Sequence, residues 1–155
     1  MGRLTLIPRR PTGRVVASGG LIAARYPLIG LGPELNPDPF FNDPGAWIFG
    51  DGWSIDQNVA KSDGSQIATS HLQTANVLTA FRTYRMQTTI TVVTEGRFRQ
   101  AAGGGGSSGQ WISEPVFELT EILISEDIVF GIRITADNNA IGDCTYLSCR
   151  EVLVP

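Results

Sequence analysis

The chain has 155 residues, of which 42% are hydrophobic and 17% charged, with 18 glycines, 9 prolines and a net charge of −3. That length suits one domain. A charged fraction below the usual ~25%, with abundant glycine and β-branched residues, points to an all-β domain with covered faces and argues against long helices. No window approaches the ~20 apolar residues of a membrane-spanning helix. Arg and Pro interrupt MGRLTLIPRRPTGR too often for a secretory signal, and Leu6 stands where myristoylation needs Ser or Thr; a soluble product without a membrane partner is expected.

Charge is distributed unevenly along the chain. Residues 1–30 carry Arg3, Arg9, Arg10, Arg14 and Arg25 and no acid, a balance of +5, whereas the remainder carries −8. Four prolines and six glycines within residues 1–33 resist helix formation, so the leader cannot bury much apolar surface by itself. Its apolar pairs Val15-Val16, Leu21-Ile22 and Leu28-Ile29, separated by turn residues, fit successive pockets on another subunit. A disordered tail and an extra edge strand formed by VVASGGLIAARY are the alternatives. Nucleic acid is disfavoured as a partner: the arm has a single aromatic, Tyr26, and the acidic body would repel a duplex.

From residue 36 the pattern becomes a succession of strands. NPDPFFNDPGAWIFGDGWSIDQNVAK packs large aromatics between turn residues, and GWSID and NVAKS around Asp56-Gln57-Asn58 read as a short hairpin. SQIATSHLQT and NVLTAF follow as short half-buried strands. In TYRMQTTITVVTEG, Tyr84, Met86, Thr88, Ile90 and Val92 share one face, and Glu95-Gly96 turns into RFRQ. AAGGGGSSGQW is a flexible hairpin connection; no Lys-Ser/Thr pair follows it, which excludes a phosphate-binding loop. WISEPVFELTEIL sets Phe117, Leu119 and Glu121 against Val116, Glu118 and Thr120. EDIVFGIRITAD aligns Ile128, Phe130, Ile132 and Ile134 on a core face, and CTYLSCREVLV closes the chain. About eight to ten antiparallel strands and no convincing helix predict a two-sheet sandwich.

Candidate chemistry is sparse. Cys144 and Cys149 lie five apart, so in a regular strand they face opposite sides and stay unpaired unless a bulge intervenes. Without a CxxC pattern, and with His71 as the only histidine, zinc is disfavoured. DGWSID, SDG and DNNAIGD offer oxygen ligands, but none has calcium-loop spacing, so Asp and Asn in turns are the simpler reading and no cofactor or metal is expected. No GxSxG-type pattern accompanies His71, and Glu114, Glu118 and Glu121 read as solvent-facing charges, so no catalytic residue is assigned.

WIFGDGWSI after an Asn-Pro-rich opening, then DQNVAKSDG, TYRMQTTITV with its glycine-rich hairpin, and the terminal YLSCREV occur in an order that resembles the jelly-roll domains, similar to carbohydrate-binding modules, of tailed-phage virion structural proteins. The resemblance covers roughly residues 36–153. It implies a jelly-roll-like body, residues 36–155, behind an extended basic anchoring arm, residues 1–35. It also implies that Phe40, Phe41, Trp47 and Trp53 form a hydrophobic plug between the sheets, each large aromatic burying on the order of 150–250 Å². The function it implies is a non-enzymatic virion component, a capsid decoration protein or a head or tail fibre accessory. Such a component is a symmetric oligomer such as a homotrimer, gripping major capsid or tail and fibre subunits through the arm. The alternative is a receptor-recognition module for a cell-surface glycan, with Trp111, just after the glycine loop, as the exposed aromatic.

Overall fold

The computed structural model describes residues 30–104, 108–125 and 130–153. Ten strands occur among them: β1 Gly30–Glu34, β2 Trp47–Phe49, β3 Trp53–Asp56, β4 Val59–Asp63, β5 Ser70–Thr74, β6 Thr83–Glu95, β7 Phe98–Ala102, β8 Val116–Ile124, β9 Ile132–Ala136 and β10 Ile141–Leu153. They build a six-stranded antiparallel sheet in the order β3-β4-β10-β6-β8, with β1 beside the last residues of β10, and a four-stranded antiparallel sheet in the order β2-β5-β9-β7. From β4 to β10 every connection crosses from one sheet to the other. That alternation is the jelly-roll wiring of a β-sandwich. A 3-10 turn at Pro44–Ala46 is the helical segment among the described residues.

The predicted strands come out largely in place, and the departures have local causes. Gln57 and Asn58, at φ of +51° and +63°, close the β3–β4 hairpin in the left-handed geometry that two-residue turns require. NVLTAF, in contrast, forms no strand. The Asn76 side chain accepts from Leu78 N at 3.0 Å, Phe81 takes φ +59°, and the Tyr84 hydroxyl holds both the N–H and the carbonyl of Thr79. These side-chain bonds offer the backbone an alternative to a sheet ladder. Phe130 lies outside β9 and is 36% exposed. At the adjoining Gly131 a Cβ would come within 2.5 Å of the Thr74 and Ala75 carbonyls.

Bulges reset the faces of the two long strands. In β6, Val92 pairs with Asp143 and Ile90 with Cys144, so Thr91 is an extra residue; Val92 turns outward and Val93 packs on the core instead. In β10, Cys144 opposes Ile90 and Tyr146 opposes Thr89, which leaves Thr145 as the extra residue. That bulge puts Cys144 and Cys149 on the same side, both buried in the core, against the expectation of opposite faces. They remain free thiols. Burial pushes the Cys144 thiol up to about 11 and also raises that of Cys149, so both act as small apolar core groups.

The core explains the aromatic opening segment. Phe41 and Trp47 are buried with ring centroids 4.9 Å apart, and Trp53 meets Phe98 of the facing sheet edge-on at 6.0 Å. Phe40 departs from the expected plug: it is 56% exposed and lies against Tyr146 at 5.0 Å on the outer face of the six-stranded sheet. Phe41 sits at φ +56°, and this reversal lets adjacent phenylalanines point to opposite sides.

A polar clamp, absent from the sequence reading, fixes this segment. The buried Asp38 carboxylate accepts from Asn42 N at 2.8 Å, Asp43 N at 2.9 Å and Trp47 Nε1 at 3.0 Å. Asn36 accepts from Asp38 N and donates to the Leu147 carbonyl, tying the segment to β10. Glu34 accepts from Asn36 N, Cys149 N and Ser148 Oγ, which locks β1 to β10 as well.

Among the described residues the six-stranded sheet starts with β1, Gly30–Glu34, inside the stretch 1–35 read as the arm. Arg3, Arg9, Arg10, Arg14, Val15, Val16, Leu21, Ile22, Arg25, Leu28 and Ile29 lie outside the described residues.

Candidate functional site

The outer face of the four-stranded sheet is where strand alternation and cross-strand register gather polar side chains. In β5, SHLQT buries Ser70, Leu72 and Thr74 and turns His71 and Gln73 outward. In β9, IRITA sends Ile132, Ile134 and Ala136 to the core and Arg133 and Thr135 the other way; in β7, FRQAA does the same with Arg99 and Ala101. The registers His71↔Thr135↔Arg99 and Ile48↔Gln73↔Arg133↔Ala101 align these groups in two adjacent rows.

Two aromatics border the rows. The chain after the glycine loop returns along β7 through the bridges Ala101↔Ser108 and Phe98↔Ile112, which buries Ile112 and turns Trp111 outward, half-buried. The Arg99 guanidinium lies 4.4 Å from the Trp111 ring centroid and that of Arg97 lies 5.1 Å away, both in cation–π range. Arg97 is engaged by Asp137, with Nε to Oδ2 at 2.9 Å. On the other side, the Phe130 ring faces the Arg133 guanidinium at 5.1 Å. Next to it, an open cleft of about 350 Å³ lies between Ile48, Phe49, Ile67, His71, Gln73 and Phe130. Ile67 is 93% exposed there.

Polar groups on this face are left with capacity. Gln73 Oε1 and Arg99 Nε are buried and find no hydrogen-bond partner within the chain. Among the described residues Arg99 has no carboxylate partner. Leaving such groups unmatched costs about 1–3 kcal/mol each, which a ligand that pairs them recovers.

His71 Nδ1 lies 3.0 Å from Thr135 Oγ1. Burial, and then the Arg133 and Arg99 charges, lower its pKa to about 4. The unfolded chain takes up this proton near pH 6.5 and the folded one only near 4. Between those values the unfolded state binds more protons, so stability falls as pH drops from about 6.5 to 4. The loss is on the order of 1 kcal/mol after discounting for the ring's partial exposure. Urea unfolding from pH 7.5 to 4.5 should show this loss in the native protein and its absence in His71→Gln; equal slopes would contradict the assignment.

The arrangement offers recognition groups and no assembled nucleophile. Among the described residues no carboxylate hydrogen-bonds His71, so the orienting third member of a catalytic triad is missing. No three His, Cys, Asp or Glu side chains cluster there to suit a metal. Of the Asp residues in the turn segments, Asp56 is engaged by Lys61, Asp63 by Ser65 N and Asp137 by Arg97. Glu121, read from the sequence as solvent-facing, is half-buried and accepts from Gln100 Nε2 and Gln110 N at 2.8 Å each.

Of the residues singled out in the sequence, the structure brings Trp111 to this face. Phe41, Trp47 and Trp53 go to the core, and Phe40 to the opposite sheet. Arg99, Gln73, Arg133 and Thr135 were missed. Polar-out alternation in SHLQT, IRITA and FRQAA was the available signal, but their juxtaposition depends on register.

No protein-family profile and no curated protein matches the chain. Among solved structures it is similar to a mutant of the family 29 carbohydrate-binding module CBM29-2, with 12% identity and a TM-score of 0.46 over 79% of this chain and 92% of that one. It is also similar to a family 29 carbohydrate-binding module, at 12% identity and TM-score 0.45 over 79% and 88% of the two chains. The CBM1 module of BiXyn10A gives 13% identity and TM-score 0.36 over 82% and 89%. These neighbours are carbohydrate-binding modules with a β-sandwich fold, and likeness at this level assigns no residue a role.

Proposed function

We propose that this chain is a non-catalytic binding module that holds a saccharide against the outer face of its four-stranded sheet. One observation carries the reading: Trp111 lies over Arg99, a guanidinium with no carboxylate partner among the described residues, on the face where Gln73, two strands away across β9, keeps an unmatched buried oxygen. An aromatic surface with a few fixed polar groups is the composition that orients a small polar ligand. A glycan array followed by calorimetry tests it. Arg99→Gln should weaken the retained saccharide by about 10-fold, the value of one charge-assisted hydrogen bond. An array that retains nothing, or a variant with native affinity, would overturn the reading.

The charge partition favours a second role that coexists with the first. With +5 on residues 1–30 against −8 on the rest, the leader suits an anchor in a phage or phage-like particle. It would bind major capsid or tail and fibre subunits, the sandwich being displayed as a homotrimer or other symmetric oligomer. A stable grip needs roughly 1,000 Å² of buried surface, within reach of an extended chain of that length. Deleting residues 1–29 should leave the sandwich folded and abolish co-sedimentation with particles; retained co-sedimentation would exclude the anchor.

A further inference from the structure

The outer face of the six-stranded sheet carries a separate cleft of about 160 Å³, lined by Arg85, Gln87, Tyr146, Ser148 and Arg150. Its floor holds two like charges, because Arg85 of β6 and Arg150 of β10 stand directly opposite in register. Such a pair destabilises a sheet unless something answers it. Glu34 answers Arg150, with Oε2 3.5 Å from Nε, while also accepting from Asn36 N, Cys149 N and Ser148 Oγ.

Among the described residues Arg85 has no such partner. Its contact within the chain is Nη2 to Gln87 Oε1 at 3.4 Å, at the outer limit of a hydrogen bond, and Gln87 donates in turn to Glu118 at 2.7 Å. Among the described residues no carboxylate pairs with Arg85. One positive charge is thus left unanswered in a polar cleft with room for a few water-sized groups. Phe40, 56% exposed and tilted against Tyr146 with ring centroids 5.0 Å apart, adds an aromatic surface beside it.

We infer that this cleft is an oxyanion site: the Arg85 guanidinium fork takes the carboxylate or sulfate group of a small ligand, flanked by Tyr146 and Phe40. The guanidinium plane matches either group through two parallel N–H donors, and the incoming negative charge relieves the Arg85–Arg150 repulsion. The inference stands apart from the saccharide face of the other sheet.

The test is NMR titration of the arginine Nε–Hε signals of the full chain with sodium sulfate, sodium glucuronate and neutral glucose. A saturable shift at Arg85 with a dissociation constant of ~1–10 mM is expected for an anion and none for glucose. Tighter binding of glucuronate than of sulfate assigns the source to an acidic sugar; equal binding assigns it to the free oxyanion. Arg85→Gln should weaken either anion at least ~10-fold and, with the repulsion gone, melt about 1–3 °C higher. Trp111→Ala should leave this response unchanged. No saturable shift with either anion, an undiminished response in Arg85→Gln, or a lower melting temperature for that variant would overturn the inference.

Discussion

Replacing Asp38 with alanine is expected to destabilise the domain by about 3–5 kcal/mol, more than any other single change to a polar side chain considered for this chain. The carboxylate receives three donors, Asn42 N, Asp43 N and Trp47 Nε1. The Trp47 indole is buried and has no route to water, so its N–H would be stranded when the acceptor is removed. The backbone N–H groups of Asn42 and Asp43 belong to exposed residues and can recover water, which keeps the total below the sum of three lost charged bonds. Asp38→Asn should cost nearly as much, because all three partners are donors and the amide would point its own N–H groups at one or more of them. Asp43→Ala is the control. It removes the exposed bond to Gly45 N at the start of the 3-10 turn and should cost only about 0.5–1 kcal/mol. Chemical denaturation of the three variants decides the matter: if Asp38→Ala costs less than Asp43→Ala, the clamp does not hold the aromatic segment.

The second large effect concerns binding. Trp111→Ala should reduce affinity for the saccharide retained by the wild type by about 30-fold or more, the scale of an aromatic hot spot, while changing stability by no more than about 1 kcal/mol. The reasoning is positional. Trp111 is half-buried on the outer face and stacks on Arg97 and Arg99, whereas its neighbour Ile112 makes the inward contact and the backbone bonds to Phe98. Trp53 has the opposite profile. It is buried edge-on against Phe98 of the facing sheet, so Trp53→Ala should cost about 3–5 kcal/mol through loss of core packing. Calorimetric titration paired with urea unfolding of both variants separates the two roles. Unchanged affinity in Trp111→Ala, or a stability loss matching that of Trp53→Ala, would return Trp111 to the core.

Residues whose role is set by local alternation or turn chemistry were legible in the sequence. The β3–β4 hairpin follows from Asp56-Gln57-Asn58, and the inward set Tyr84, Met86, Thr88 and Ile90 follows from period two. All-β character followed from glycine content, β-branching and the scarcity of helical spacing. Trp111 could be singled out because it follows a glycine run that cannot pack around it.

Two things were decided only by tertiary structure. The first is the effect of bulges: the extra residues Thr91 and Thr145 carry no signature in sequence, yet they exchange Val92 for Val93 at the core and bring both cysteines to one side. The second is register between strands distant in the chain. His71, Arg99 and Thr135 share a row because β5, β9 and β7 are neighbours, and Arg85 faces Arg150 because β6 pairs with β10. A strand's own pattern fixes which face a side chain takes, since that depends on the pleat alone. Which distant residue stands beside it depends on how the two sheets close over a common core, and that is a property of the whole chain.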